Sequence, residues 1–162
     1  MGVRIFTTGG TIDKVYFDAK SSYQVGDPQI GELLAEANVT VPYAVTPLLR
    51  KDSLEIGAAD RALIAERVAA AAESQVLITH GTDTMIDTAR ALLGIEGKTV
   101  VLVGAMQPAR LRVSDAFFNI GFALAAVQLL PPGIYVAMNG RVFNPLTTCK
   151  NVAESRFEQV VD

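Results

Sequence analysis

Thr7-Thr8-Gly9-Gly10-Thr11 and Thr79-His80-Gly81-Thr82-Asp83-Thr84 are the two stretches that decide how this chain folds. Each follows directly on an apolar run with strand character, Val3-Arg4-Ile5-Phe6 before the first and Gln75-Val76-Leu77-Ile78 before the second. Runs rich in Val and Ile with little alternation are typical of strands buried on both faces of a parallel sheet. In an open parallel sheet, ligands gather outside the carboxyl ends of the strands. Two hydroxyl-bearing turns leaving two strands at that edge would therefore face one pocket.

Further strand-like runs at 99–103 and 134–138 extend the series, and helical patterns separate them. Residues 58–72 set Leu63, Ile64, Val68 and several alanines on one side, with Asp60, Arg61, Glu66 and Arg67 largely on the other. Residues 84–93 and 114–130 read similarly, with Thr84 and Ser114 as N-caps, and Thr84 with Asp87 matches the Thr-x-x-Asp capping pattern. Strands alternating with helices of this length imply βαβ units with right-handed crossovers. The expected fold class is α/β, a Rossmann-like three-layer domain with a mainly parallel sheet and helices on both faces. Pro131-Pro132-Gly133 turns the chain into the fourth strand, and residues 140–149 read as a return strand or extended loop. Residues 14–30 show no clear period and read as a mobile loop, of a length that often covers a site.

Composition narrows the function. At 162 residues, half of them apolar, the chain matches one compact domain with a sizeable core. Its 14 basic and 17 acidic residues give a net charge of -3 without long runs of either sign, which argues against nucleic-acid and anionic-membrane partners. A small neutral or anionic substrate remains. One cysteine, Cys149, excludes an internal disulfide, and one histidine, His80, leaves too few soft ligands for an ordinary zinc site, so no metal and no cofactor are expected. No secretory n-region and h-region are visible, Phe6 breaks a myristoylation pattern, and the apolar stretch 117–130 is too short to span a bilayer and is interrupted by Asn119 and Gln128. The expected location is cytoplasmic.

Other motifs resolve into ordinary structure. Gly9-Gly10 lacks the Gly-x-Gly-x-x-Gly continuation of a dinucleotide site, and Gly97-Lys98-Thr99 precedes a strand where a phosphate loop needs a helix. His80 has no Gly-x-Ser-x-Gly partner and reads as a core or loop-bonding histidine.

Taken together and in order, the segments resemble a known family. Thr8-Gly9-Gly10-Thr11-Ile12 and Ile78-Thr79-His80-Gly81-Thr82-Asp83-Thr84-Met85 are similar to the two signature segments of the bacterial-type L-asparaginases. Val103-Gly104-Ala105-Met106-Gln107-Pro108, Asp115-Ala116-Phe117-Phe118-Asn119 and Thr148-Cys149-Lys150-Asn151 resemble the segments that follow. The resemblance implies hydrolysis of L-asparagine to L-aspartate and ammonia through a threonine acyl-enzyme, with Thr11 as the nucleophile; the alternatives are a non-catalytic amino-acid-binding module, an amidotransferase component, or an amidase acting mainly on glutamine or another amide. It implies Tyr23 as the loop tyrosine beside Thr11, with Tyr16 as a competitor. It implies Thr82, Asp83 and Lys150 as the second catalytic group, and Ser53, Glu55 and Ala105 at the substrate. Gly10 and Gly81 would permit close backbone approach for an oxyanion hole. The usual family member carries a further, smaller carboxyl-terminal domain. The present chain is therefore read as residues 1–162 of a single catalytic domain without it, assembling as a homo-oligomer. The ending Glu154-Ser155-Arg156-Phe157-Glu158-Gln159 reads as compatible with a helix.

Overall fold

The computed structural model describes residues 2–16 and 23–160. In chain order, the first half runs β1 (Val3–Gly9), β2 (Lys14–Tyr16), β3 (Tyr23–Val25), α1 (Ile30–Glu36), β4 (Tyr43–Lys51) and α2 (Ala58–Ala70). The second runs β5 (Gln75–Thr79), α3 (Met85–Ala91), β6 (Thr99–Val103), α4 (Ala116–Leu129), β7 (Gly133–Met138), β8 (Arg141–Phe143), β9 (Thr148–Asn151) and β10 (Arg156–Gln159). A six-stranded sheet orders them β4-β1-β5-β6-β7-β8, parallel throughout except for the β7 to β8 pairing. The expected α/β architecture, a mainly parallel sheet covered by helices, is the one observed.

Numbered by chain order alone, the five parallel strands lie 2-1-3-4-5 across the sheet. The direction of winding reverses between β1 and β5, and ligands sit at such a switch point in doubly wound sheets. The two threonine turns leave those very strands.

Burial explains the strand sequences. Val76, Leu77 and Ile78 of β5 and Val100 through Val103 of β6 are all 0% exposed, which is why neither strand alternates. Helix α4 closes one side of this core with Ala116, Asn119, Ile120, Ala123, Leu124, Ala126 and Val127, a spacing of three and four residues. Each Ile, Leu or Val buried here contributes on the order of 1.5–3 kcal/mol relative to its exposed state. Among the described residues, no helix is long and apolar enough to cross a membrane.

In the local details some expectations hold and others need correction. Residues 14–30 are not a featureless loop: β2 and β3 pair antiparallel, Lys14 opposite Val25 and Tyr16 opposite Tyr23, and Ile30 opens α1. Residues 17–22 of that span lie outside the described residues. Strand β4 carries Pro47, which argues against a central strand, but β4 is the sheet's edge and has one side without a ladder partner. The segment near residue 154 is a strand: Arg156 to Gln159 pair with β9 after a turn in which Ser155 has φ 50°. Residues 140–149 contain the return strand β8, joined to β7 by Asn139-Gly140, both at positive φ, as a two-residue hairpin turn requires.

Candidate active site

The carboxyl edge of the sheet brings three turns into contact. After β1, Gly10 has φ 89°, and a Cβ on it would lie 2.4 Å from the Gly81 nitrogen. A Cβ on Gly81 would in turn lie 2.5 Å from the Ser53 Cβ. The turns after β1, β5 and β4 thus meet with no space for a side chain at either glycine. Two bonds fix their relative height: Gly10 N donates to Lys51 O at 2.9 Å, and Thr8 Oγ1 donates to Thr79 O at 2.8 Å. Thr11 follows Gly10 as the first residue of a short 3-10 turn, Thr11–Asp13, and is half-buried.

Lys150 arrives from a different part of the chain. It lies on β9 opposite Phe157 of β10, and Phe157 is 3% exposed and packs its ring 6.3 Å from that of Phe143. The Phe157 amide also donates to Asn139 Oδ1 at 2.8 Å. So anchored, Lys150 Nζ donates to Thr82 Oγ1 at 2.8 Å and to Asp83 Oδ1 at 2.6 Å. An ammonium group has three donors and no acceptor. A cation held in this way can stabilise negative charge on an oxygen it touches.

Ser53 is 2% exposed and sits in a 3-10 turn, Ser53–Glu55, at the end of β4. A capping box shapes this turn: Leu54 N donates to Asp52 Oδ1 at 3.1 Å, and Asp52 N donates to Glu55 Oε2 at 3.3 Å. The exposed Glu55 is thereby turned toward its own backbone. Burial opposes ionisation of Asp52, but the Leu54 amide and the charges of Lys14 and Lys150 outweigh it and hold the carboxyl below its usual range. Thr84 does not cap α3 with its side chain as its sequence context suggests, because Thr84 Oγ1 donates instead to Ser53 O at 2.7 Å. That bond ties the second threonine turn to the Ser53 turn.

Ala105 is 1% exposed, directly beyond β6. Its surroundings are set by residues whose role the sequence did not disclose. Asp115 accepts from the amides of Met106, at 2.9 Å, and Gln107, at 3.0 Å, while Asn119 Nδ2 donates to Gly104 O at 3.0 Å. Tyr23 is 48% exposed on β3, with Tyr16 opposite in register. Geometry therefore joins Thr82, Asp83 and Lys150 by direct bonds and Gly10, Gly81 and Ser53 by contact, with Thr11 beside them. Glu55 is held away by its capping bond.

His80 is 0% exposed and structural. Its Nδ1 lies 2.7 Å from the Gly81 carbonyl, which only accepts, so that nitrogen carries the proton. Its Nε2 lies 2.8 Å from Thr88 Oγ1, which itself accepts from Arg61 Nε at 3.2 Å and so donates its own proton to the histidine. Burial lowers the His80 pKa to about 4, which keeps the ring neutral. Asp13, in the Thr11 turn, shows the opposite effect: burial raises its pKa to about 7, against the Gln29 amide and the Arg50 charge. Among the described residues, no group of three or more His, Cys, Asp or Glu side chains could hold a metal ion.

Comparisons with known proteins bear on the family and the fold. The family model described as asparaginase, N-terminal, matches residues 2–159. The glutaminase-asparaginase of Pseudomonas fluorescens biotype A is 30% identical over 154 residues, covering 86% of this chain and 42% of that protein. A probable periplasmic L-asparaginase of Haemophilus influenzae is 33% identical over 153 residues, covering 86% of this chain and 43% of its own length. The solved thermostable L-asparaginase from Thermococcus kodakarensis superposes with a TM-score of 0.82 at 26% identity, covering 98% of this chain and 51% of that one. The chain thus spans about half the length, or less, of these relatives. By the extent of the family match, this chain belongs to the asparaginase family and corresponds to its N-terminal part.

Proposed function

We propose that this chain is an amidohydrolase that converts L-asparagine to L-aspartate and ammonia through an acyl-enzyme on Thr11. The observation that carries the reading is the bonded group of Lys150, Thr82 and Asp83, with Nζ 2.8 Å from Thr82 Oγ1, set against the Gly10 to Gly81 contact that places Thr11 alongside. The Thr11 oxygen attacks the side-chain amide carbon, its proton passes to the departing nitrogen, and ammonia leaves. Water then attacks the ester carbon, and Thr82 relays the proton: its oxygen takes one from the water as its own hydroxyl proton passes to the departing Thr11 oxygen, releasing aspartate and restoring the Thr11 hydroxyl. Tyr23 assists at Thr11. The amides that Gly10 and Gly81 bring close together stabilise the carbonyl oxygen as it gains charge.

Ser53 fits the substrate carboxylate and Asp83 its α-amino group, with Ala105 lining the amide end. Glu55 reaches the α-amino group only by releasing its bond to the Asp52 amide. In this reading the chain works as a homo-oligomer, for which exposed Phe117 and Phe118 on α4 offer apolar surface. A second substrate, glutamine, is favoured by the name of the Pseudomonas relative, a glutaminase-asparaginase.

Ammonia release from asparagine and glutamine, measured side by side on the full chain, tests the reading. The Thr11→Val protein is expected to lose activity by about 10³-fold or more while keeping its circular dichroism. Undiminished release by that variant would remove Thr11 as nucleophile.

A further inference from the structure

Asp13 closes the turn that Thr11 opens, and the proposed reaction makes no use of its carboxyl group. The residue is 2% exposed. Its Oδ1 accepts the Gln29 amide at 2.9 Å, and its backbone carbonyl accepts the Gly26 amide at 2.8 Å. Both bonds grip the arm that returns from β3, so one residue holds the root of the β2–β3 hairpin at two points. Its bonded partner Gln29, 3% exposed, accepts from Arg110 Nε at 2.9 Å, and Ile12 O accepts the Ala109 amide at 3.0 Å. The loop after β6 is thereby fastened to the same hub.

Around Asp13 the charges are crossed. Lys14 of the hairpin pairs with Asp52 beyond β4 at 3.1 Å, while Asp27 of the hairpin pairs with Arg50 of β4. This arrangement orients the hairpin but holds it weakly, since the Lys14 to Asp52 pair is partly exposed and the Arg50 to Asp27 pair exposed, and salt screens both. Asp13 supplies the buried contact between them.

We propose that Asp13 is a positioning residue that seats the β2–β3 hairpin, and Tyr23 with it, beside the Thr11 turn. Through Tyr23 the consequence for catalysis rests on the amidohydrolase reading, whereas the seating itself does not. The groups that act on Asp13 are the Arg50 charge from β4 and the amide of Gln29 from the hairpin's return, Gln29 being bonded in turn to Arg110. Burial dominates over them and raises the Asp13 pKa to about 7 from 3.8. A seated hairpin therefore holds a proton that a hydrated Asp13 releases. By linkage, unseating grows easier by about tenfold per pH unit between the two values and levels off above the higher one.

Hydrogen exchange at the Gly26 and Gln29 amides of the full chain, corrected for intrinsic rates, reads the seating without substrate. Wild type is expected to lose protection by about tenfold per unit from pH 5 to pH 7 and to level off above. Asp13→Asn keeps an acceptor but cannot ionise, so it is expected to remain seated with no such slope. Asp13→Ala is expected to exchange about tenfold or more faster than wild type at pH 6. In turnover, Asp13→Ala is expected to lower kcat by about tenfold with KM changed by less than about threefold, and Asp13→Asn to recover most of the loss. Equal protection in wild type and Asp13→Ala, or the same pH slope in wild type and Asp13→Asn, would overturn the proposal. A wild-type chain that seats its hairpin as described yet releases no ammonia would instead sink the amidohydrolase reading alone.

Discussion

Lys150 and Tyr23 reach the same strand edge from opposite kinds of support. Lys150 rides on β9, which β10 pins to the core through a Phe157 side chain that is 3% exposed. Tyr23 rides on a three-residue strand paired with β2, and polar bonds tie the hairpin to the body, among them those of Asp13, the Lys14 to Asp52 pair and the Arg50 to Asp27 pair. Apolar burial is insensitive to salt and to small changes of pH, whereas buried carboxyl groups and exposed ion pairs respond to both. Lys150, bonded to Thr82 at 2.8 Å, is thus mounted on apolar burial, and Tyr23 is mounted on contacts that yield to salt and pH.

The comparison breaks first at the rigid side. Lys150→Met should leave Thr82 without its cation and lower ammonia release by about 10²–10⁴-fold, with folding retained. Steady-state assays beside a melting curve decide this, and a fall of less than about tenfold would show that Lys150 is dispensable. Next in size, Phe157→Ala should cost about 3–5 kcal/mol of stability, read as a lowered denaturation midpoint at unchanged slope, because it empties a core site. A near-neutral result would mean that β10 does not hold Lys150 in place.

A smaller effect separates two buried titrating groups. The folded pKa of His80 lies at about 4, below its ordinary 6.5, so its stabilising contribution is present above 6.5 and is lost as pH falls through 4. Asp13 is raised from 3.8 to about 7, so its contribution is present below 3.8 and is lost as pH rises through 7. Over most of that interval the two slopes oppose. Asp13→Asn removes one of them, and its melting temperature should climb more steeply from pH 4 to 6.5 than that of wild type; parallel curves would refute the burial of Asp13 as its controlling influence. Smallest of all, Lys14→Ala removes an ion pair whose side chains are 27% and 34% exposed, and should cost about 0–1 kcal/mol, vanishing in high salt.

The same contrast explains what the sequence disclosed. Strands β5 and β6 are buried on both faces, so their unbroken apolar runs announced them, and the threonine turns beyond them marked the switch point. Strand β4 lies at the sheet edge with Pro47 inside it, and the short β2 and β3 pair only with each other, so packing leaves little pattern in their residues. Thr84 matched a helix cap but bonds Ser53 O, a partner 31 residues away that only the meeting of two turns supplies. Lys150 was legible through its family-like segment, whereas its support was not: the alternation that places Phe157 inside requires β9 and β10 to pair across a turn at Ser155. Asp13 is legible only as a departure, standing where the resembling family often has a small residue, and that bears on the loop's hinge; its burial and its bonds to Gln29 and Gly26 are not readable before the fold is known.

The central claim is that Thr11 acts beside a bonded group of Thr82, Asp83 and Lys150 to hydrolyse an amide. Ammonia release from asparagine by the purified full chain, with wild type, Thr11→Val and Lys150→Met compared at equal folded fraction, tests it most directly. The account predicts turnover by wild type and near-complete loss in both variants. Release by Thr11→Val or Lys150→Met at the wild-type rate would contradict it.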